Sequence, residues 1–114
     1  MWKVLYYAAK SGRYPVKEFI DSLDGDSQSR IFHTLDLLKE FGVHLGMPYA
    51  KYLEKQLWEL RVRHARNRYR IIHFLAAGET FILLHGLTKK TGPVPRSDIE
   101  TADKRRSDYL TQKG

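Results

Sequence analysis

The stretch WELRVRHARNRYRIIHFLAAGETFILLHGL, residues 58–87, decides the fold of this chain. It begins with apolar and charged side chains in alternation, which is typical of a strand with one buried face. Two short breaks, at residues 64–67 and 76–79, divide the stretch into three strand segments. Strands joined by such short turns pair in antiparallel order, so the sequence predicts a three-stranded antiparallel meander.

One more strand and three helices are predicted around this meander. Residues 2–8 are aromatic and branched without a helical period, which indicates a first strand. Apolar residues at helical spacing predict a short helix from Pro15, a second one through Phe41, and a last helix of about a dozen residues near Ser97. This order favours an α+β fold in which the N-terminal strand and a helical hairpin pack on a small antiparallel sheet, with the helices on one face.

The chain has the size and composition of one domain. Its 114 residues are 42% hydrophobic and 29% charged, which is ordinary for a globular protein. We expect a single domain over residues 1–110 and a frayed tail over residues 111–114. The sequence contains no cysteine, which excludes disulfide frameworks and thiol nucleophiles. Without a signal peptide or an apolar run of membrane length, we expect a cytoplasmic protein with no membrane partner.

The charge of the chain favours a polyanionic partner. Lys and Arg number 20 and Asp and Glu 13, so the net charge is +7, and a small basic domain of this kind tends to bind nucleic acid or another acidic surface. The five histidines lack metal-ligand spacing, and the sequence shows no carboxylate cluster, P-loop or dinucleotide glycine pattern. We therefore expect no metal ion and no cofactor.

Arginines face one another across the first predicted hairpin. A turn centred between Ala65 and Arg66 aligns the strands without placing an arginine in the core. One face then holds three facing pairs: Leu60 with Ile71, Val62 with Tyr69, and Trp58 with His73. We expect His73 to be a structural residue of this face. The opposite face holds Glu59 and two facing arginine pairs: Arg61 with Arg70, and Arg63 with Arg68.

A second predicted turn extends this row of cations to the third strand. If the turn is centred between Ala77 and Gly78, His85 lies opposite Arg70. Like charges that face each other in a sheet cost about 0.2–1 kcal/mol per pair, so a fold built only for stability would not collect them. The row therefore predicts an anion site. The alternative is a solvated strand face whose arginines pair with Glu59 or with a carboxylate of the last helix.

Three sequence blocks resemble a known protein family. They are LWELR at residues 57–61, YRIIHF at 69–74 and HGLTKKT at 85–91, the last followed by Asp98 and Ile99. In this order they resemble the RelE/ParE superfamily of type II toxins, and in particular its HigB-like, phage-derived branch. The resemblance implies a RelE-like fold and a metal-independent ribonuclease, usually one that cuts mRNA in the ribosomal A site. It also implies a cognate antitoxin, often a helix-turn-helix DNA-binding protein.

The resemblance further implies that the open face of the sheet carries the chemistry. Functional basic residues of the family correspond by position to Arg61 and Arg70 on the strands and to Lys89 and Lys90 after the last strand. In such an enzyme the RNA 2′-hydroxyl is the nucleophile and arginines hold the phosphate, so groups that transfer protons are also needed. The candidates for proton transfer are His85, Glu59, Lys89 and Lys90. Five further cations are expected to hold RNA phosphates: Lys51, Lys55, Arg63, Arg66 and Arg68.

Two observations keep other activities open. Some ribonucleases of the family carry a tyrosine just after the last basic position, whereas residues 88–98 contain none and Tyr109 lies far along the last helix. Other members of the superfamily poison DNA gyrase, and a fold does not determine an activity. The sequence therefore predicts a toxin that cleaves mRNA, with the ribosome and an antitoxin as partners. The alternatives are a gyrase-poisoning toxin and a non-catalytic RNA-binding module.

Overall fold

The computed structural model describes residues 1–89 and 91–113, which form a five-stranded sheet and three α-helices. The strands are β1 (Lys3–Tyr6), β2 (Ala50–Glu54), β3 (Leu57–His64), β4 (Asn67–Ala76) and β5 (Thr80–Thr88). The helices are α1 (Pro15–Asp21), α2 (Gly25–Phe41) and α3 (Arg96–Lys113), and a 3-10 turn, Gly42–His44, follows α2. The predicted α+β fold is confirmed.

The sheet differs from the predicted one in two respects. The strands lie in the order β1-β5-β4-β3-β2. Strand β1 runs parallel to β5, so the sheet is mixed and not purely antiparallel. Strand β2, which the sequence analysis did not identify, forms a hairpin with β3 through a turn at Lys55 and Gln56. The sheet therefore has one more strand than expected, and this strand covers the edge of β3 only as far as Leu60.

Helix α3 is longer than the sequence suggested. It has 18 residues where about a dozen were expected, and it includes residues 111–113 of the predicted tail. The division into a domain over residues 1–110 and a frayed tail stays a prediction. None of the helices in the described part of the chain combines the length and the apolar character that a membrane crossing requires.

Helices α1 and α2 pack on one face of the sheet, which we call the apolar face. Val16 and Ile20 of α1 and Ile31 and Leu35 of α2 are buried there. The sheet residues of the apolar face are Leu60, Val62, Tyr69, Ile71, Phe81 and Leu83. This arrangement confirms the helical hairpin on the sheet and the apolar side of the β3–β4 pairing.

Helix α3 packs on the opposite face, which corrects the prediction that the helices share one face. Ile99, Ala102 and Tyr109 contact apolar residues of the sheet around Ile72 and Phe74. Beyond this contact the same face of β3 and β4 carries five charged residues, and we call it the charged face. These residues are Glu59, Arg61, Arg63, Arg68 and Arg70.

The register of β3 and β4 is the predicted one. Arg61 lies opposite Arg70, and Arg63 lies opposite Arg68. The three pairs of the apolar face also form, although Trp58 at the end of that row is 38% exposed. The two facing arginine pairs are therefore features of the folded chain.

The register of β4 and β5 differs from the prediction. The turn between them contains three residues, 77–79, instead of the two expected, and a bulge beside Ile72 adds a second one-residue shift. Beyond the bulge the two shifts together keep His85 on the face of Arg70 but move it by one pair along the strand. His85 therefore lies opposite Ile72, and Leu87 takes the place opposite Arg70.

Candidate functional site

An open cavity of about 550 Å³ lies beside the part of β3 that β2 does not cover. Its walls come from α2, from the loop before β2, and from β3 and β4. The lining residues are Arg30, His33, Thr34, Pro48, Tyr49, Arg61, Val62, Arg63, Arg68 and Arg70. Five of them are arginines and none is acidic, so the cavity concentrates positive charge.

Two of these arginines bind one buried carboxylate. The Nη1 atom of Arg70 donates to Oε2 of Glu59 and Nε of Arg61 donates to Oε1, each over 2.9 Å. The Glu59 and Arg70 side chains are 2% and 3% exposed, whereas the Arg61 side chain keeps 29%. Glu59 therefore pairs with both facing guanidinium groups, which is the pairing that the sequence left open as an alternative.

The burial of this cluster limits what its members can do. Both oxygens of Glu59 accept hydrogen bonds from guanidinium groups, so this carboxylate is poorly placed to take a proton from a substrate. Arg70 is almost completely buried and acts on the site mainly by holding Glu59 and Arg61 in place. Both arginines line the cavity, but Arg61 exposes far more of its side chain than Arg70 does.

The other three arginines of the cavity have no counterion. Arg30, Arg63 and Arg68 make no side-chain hydrogen bond or ion pair with any residue within 1–89 and 91–113. Arg30 and Arg63 are exposed, and Arg68 is half-buried. A guanidinium group can bind two oxygens of a phosphate or carboxylate at once. These three side chains are therefore the part of the cavity that is free to bind an anion.

His85 has partners that the sequence did not reveal. Its Nε2 atom lies 2.6 Å from Oδ1 of Asp98, and its Nδ1 atom lies 3.2 Å from Nη1 of Arg105, which also donates to the Leu84 carbonyl. Because a guanidinium group can only donate, Nδ1 accepts this hydrogen bond and Nε2 donates to Asp98. With both ring nitrogens engaged, His85 links β5 to α3 and does not line the cavity.

The predicted basic segment after β5 is described only in part. The backbone N–H of Lys89 donates to the carbonyl oxygen of Arg68 over 2.7 Å, which places Lys89 at the end of the charged face. Its side chain is not among those that line the cavity. Lys90, the second predicted lysine, lies outside the described residues.

Three other predicted RNA-binding residues lie away from the cavity lining. Lys51 on β2 and Arg66 in the β3–β4 turn are exposed. Lys55, in the β2–β3 turn, lies 3.7 Å from Asp103 of α3. They could contact only the outer parts of a long ligand.

The sequence analysis did not identify the residues that α2 and the loop before β2 contribute. Arg30 and His33 lie three residues apart and therefore on one side of α2, and Tyr49 precedes β2. His33 is exposed and is the imidazole of the described lining. The spacing of Arg30 and His33 is visible in the sequence, but the position of that side of α2 depends on how the helix packs.

His73 belongs to the apolar face, as predicted. It is buried, its Nδ1 atom lies 3.3 Å from the Ile71 carbonyl oxygen, and its ring packs edge-on against Phe81. Burial disfavours the charged imidazolium and lowers the pKa of His73 to about 4. This histidine is therefore a core residue, as the sequence predicts, and does not line the arginine-rich cavity.

One group of side chains in the described part of the chain has donor atoms close enough for a metal ion. Asp24, Asp26 and His64 bring their ligand atoms within 4.8 Å of one another. Both carboxylates are exposed at the N-terminal end of α2, where they stabilise the helix without a metal ion. We assign no metal to this group, and the expectation of no metal and no cofactor stays a prediction.

A comparison with protein families places these residues in a wider context. The model of the family described as phage-derived Gp49-like proteins (DUF891) matches residues 18–107. The matched part includes all of α2 and β2 to β5, and so every residue that lines the cavity. No curated protein matched the chain.

Proposed function

The chain belongs to the Gp49-like family of phage-derived proteins, and we propose that it is the toxin of a type II toxin–antitoxin pair that cleaves mRNA. The family is one of RelE/HigB-like toxins. The observation that carries the proposal is the cavity, in which five arginines meet and no acidic residue lines the wall. A site of this composition is suited to a polyanion, and RNA is the polyanion that the family points to.

The chemistry follows from the free guanidinium groups. RNA carries its own nucleophile, because the 2′-hydroxyl can attack the adjacent phosphorus and release a 5′-hydroxyl and a 2′,3′-cyclic phosphate. The phosphate gains negative charge in the transition state, and Arg63, Arg68 and Arg61 would stabilise that charge. Loss of one such contact typically lowers the rate by about 10²–10³. This route needs no metal ion.

The non-basic part of the cavity suits a nucleobase. Tyr49 is 41% exposed and lies in the wall with Pro48 and Val62. Stacking of a base on an aromatic ring is worth about 1–3 kcal/mol in single-stranded complexes and tolerates any base. We propose that one nucleotide of a single strand occupies the cavity with its base on Tyr49 and its phosphate on the free arginines.

Two partners complete the proposal. The substrate is mRNA on the ribosome, whose further phosphates would contact the outer cations Lys51, Lys55, Arg66 and Lys89. Lys90 is proposed for the same role from the sequence alone. The inhibitor is a cognate antitoxin, and we expect a helix-turn-helix DNA-binding protein encoded next to this chain. A net charge of +7 suits both RNA and an acidic inhibitor surface.

The test is expression of the chain without its partner, followed by mapping of cellular RNA ends. We expect growth arrest, a fall in translation and new 5′ ends inside mRNA coding regions. The double variant Arg63→Ala/Arg68→Ala should abolish the new ends. The control is Arg13→Ala, because Arg13 is an exposed arginine that pairs with Glu18 far from the cavity lining.

Each other outcome points to a different function. Intact mRNA together with DNA-damage signalling would identify a gyrase poison and contradict the proposal. The absence of growth arrest in cells that contain the folded protein would indicate a non-catalytic RNA-binding module. New RNA ends that persist in the double variant would show that the nuclease site lies elsewhere.

A further inference from the structure

We propose that His33 is the proton-transfer residue of this cavity. The inference rests on the proposed function, because it concerns the same cleavage reaction. It assigns a catalytic role to a residue of α2, whereas the sequence analysis looked for proton transfer only among Glu59, His85 and the two lysines after β5.

The cavity offers few groups that can exchange a proton at neutral pH. Its five arginines stay charged and can only donate hydrogen bonds. Glu59 is buried and binds two guanidinium groups. Tyr49 is the residue that we assign to stacking on a nucleobase. Thr34 also lines the wall, but its hydroxyl donates to the Arg30 carbonyl within α2. His33 is the remaining titratable side chain among the described lining residues.

The other histidines of the chain are placed differently. His73 is buried on the apolar face, and His85 has both ring nitrogens engaged by Asp98 and Arg105. His44 and His64 do not line the cavity. His33, in contrast, is exposed and makes no hydrogen bond with any residue in the described part of the chain.

The fold holds His33 at this place. Ile31 and Leu35 of α2 are buried against the apolar face, which fixes the orientation of the helix. Arg30 and His33 lie on one side of α2 because they are three residues apart. The same cavity is also lined by Arg61 and Arg63 of β3 and by Arg68 and Arg70 of β4. An imidazole and free guanidinium groups therefore meet around one space.

In the proposed step, the proton of the RNA 2′-hydroxyl is transferred to His33. The neutral imidazole of His33 accepts the proton of the RNA 2′-hydroxyl while that oxygen forms a bond to phosphorus. The bond from phosphorus to the 5′-oxygen breaks, and the leaving oxygen takes a proton from water. The imidazolium then returns its proton to solvent. The surrounding arginines stabilise the negative charge that develops on the phosphate.

The experiment compares His33→Ala, His33→Gln and the control His44→Ala, which removes an exposed histidine away from the cavity. Purified protein is mixed with ribosomes carrying a defined mRNA, and in parallel with free RNA. We expect both His33 variants to bind RNA as the wild type does and to cleave it about 10²–10⁴ times more slowly. The cleavage rate of the wild type should decline on acidification, and the residual activity of the His33 variants should not. Added imidazole should partly restore cleavage by His33→Ala.

The outcomes separate the two proposals. If the wild type cleaves and both His33 variants cleave within threefold of it with the same pH profile, the role of His33 is wrong and the nuclease proposal stands. If the His33 variants lose RNA binding and cleavage in equal proportion, His33 is a binding residue and not the base. If the wild type cleaves neither ribosomal nor free RNA, the proposed nuclease function fails, and the role of His33 with it.

Discussion

The two faces of the sheet are covered differently. On the apolar face, α1 and α2 cover the strands with aliphatic and aromatic side chains. On the charged face, α3 covers only part of the sheet, and beyond it Glu59 holds Arg61 and Arg70 in a buried cluster. Further out, Arg63 and Arg68 face each other without a counterion in the described part of the chain. The apolar face shows what folding requires, and the open end of the charged face shows charge that folding does not require.

The largest effect on stability should come from the buried part of the charged face. Arg70→Ala leaves Glu59, which is 2% exposed, with Arg61 as its single cationic partner. We expect the free energy of unfolding to fall by about 3–5 kcal/mol, because the buried carboxylate loses one of its two charged hydrogen bonds and the missing arginine side chain leaves a cavity. Denaturant unfolding at neutral pH measures this change. Arg70→Ala is thus a stability test and not a clean activity test.

The matched control for Arg70 is Arg63→Ala, on the same face but exposed. Its free energy of unfolding should stay within about 0.5 kcal/mol of the wild type. Equal losses in the two variants would remove the distinction between a buried structural cluster and an open binding end.

On the apolar face, acid should lower the free energy of unfolding through protonation of His73. Its pKa of about 4 in the folded chain lies below the ordinary value of 6.5, so the unfolded chain binds the proton first. Its contribution to stability is complete above pH 6.5 and is lost as the pH falls toward 4, by about 3 kcal/mol. His73→Leu should therefore unfold with a flatter dependence on pH in this window.

The control for His73 is His44→Leu, which changes an exposed histidine. This variant should keep the pH dependence of the wild type. A wild-type slope in His73→Leu would show that acid acts through other groups and that the burial of this imidazole has no energetic consequence.

The smallest effect should come from the open end of the charged face. Arg63→Glu places an acid opposite Arg68 and replaces a repulsive pair by an attractive one. We expect the free energy of unfolding to rise by about 0.2–1 kcal/mol while RNA binding weakens. A loss of stability would mean that the facing arginines do not repel each other in the folded chain.

The sequence was informative where the alternation of side chains and a single even turn fixed the geometry. The pairing of Arg61 with Arg70 and of Leu60 with Ile71 follows from these two features and is confirmed. The β4–β5 register was wrong because a three-residue turn and a bulge beside Ile72 leave no clear trace in the residue types. The sequence therefore placed the arginine pairs correctly and His85 incorrectly.

Strand β2 and the α2 wall of the cavity could not be recognised for other reasons. The β2–β3 turn uses Lys55 and Gln56 at positive φ, where glycine or asparagine would have indicated a hairpin. Arg30 and His33 occupy the polar side of an amphipathic helix, and only the tertiary packing shows that this side meets the arginines of β3. The burial of Arg70 likewise depends on the whole fold.

The most direct test of the account is the salt dependence of RNA binding. A single-stranded RNA oligonucleotide is titrated with the wild type, with Arg63→Ala/Arg68→Ala and with Arg13→Ala over a range of salt concentrations. We expect steep salt dependence for the wild type and for Arg13→Ala. In the double variant, the slope of log binding constant against log salt concentration should be smaller by about 1–2, because each phosphate contact with single-stranded RNA releases about 0.7 of a counterion. A flat response of the wild type, or an unchanged slope in the double variant, would contradict the claim that the free arginines of the cavity bind RNA.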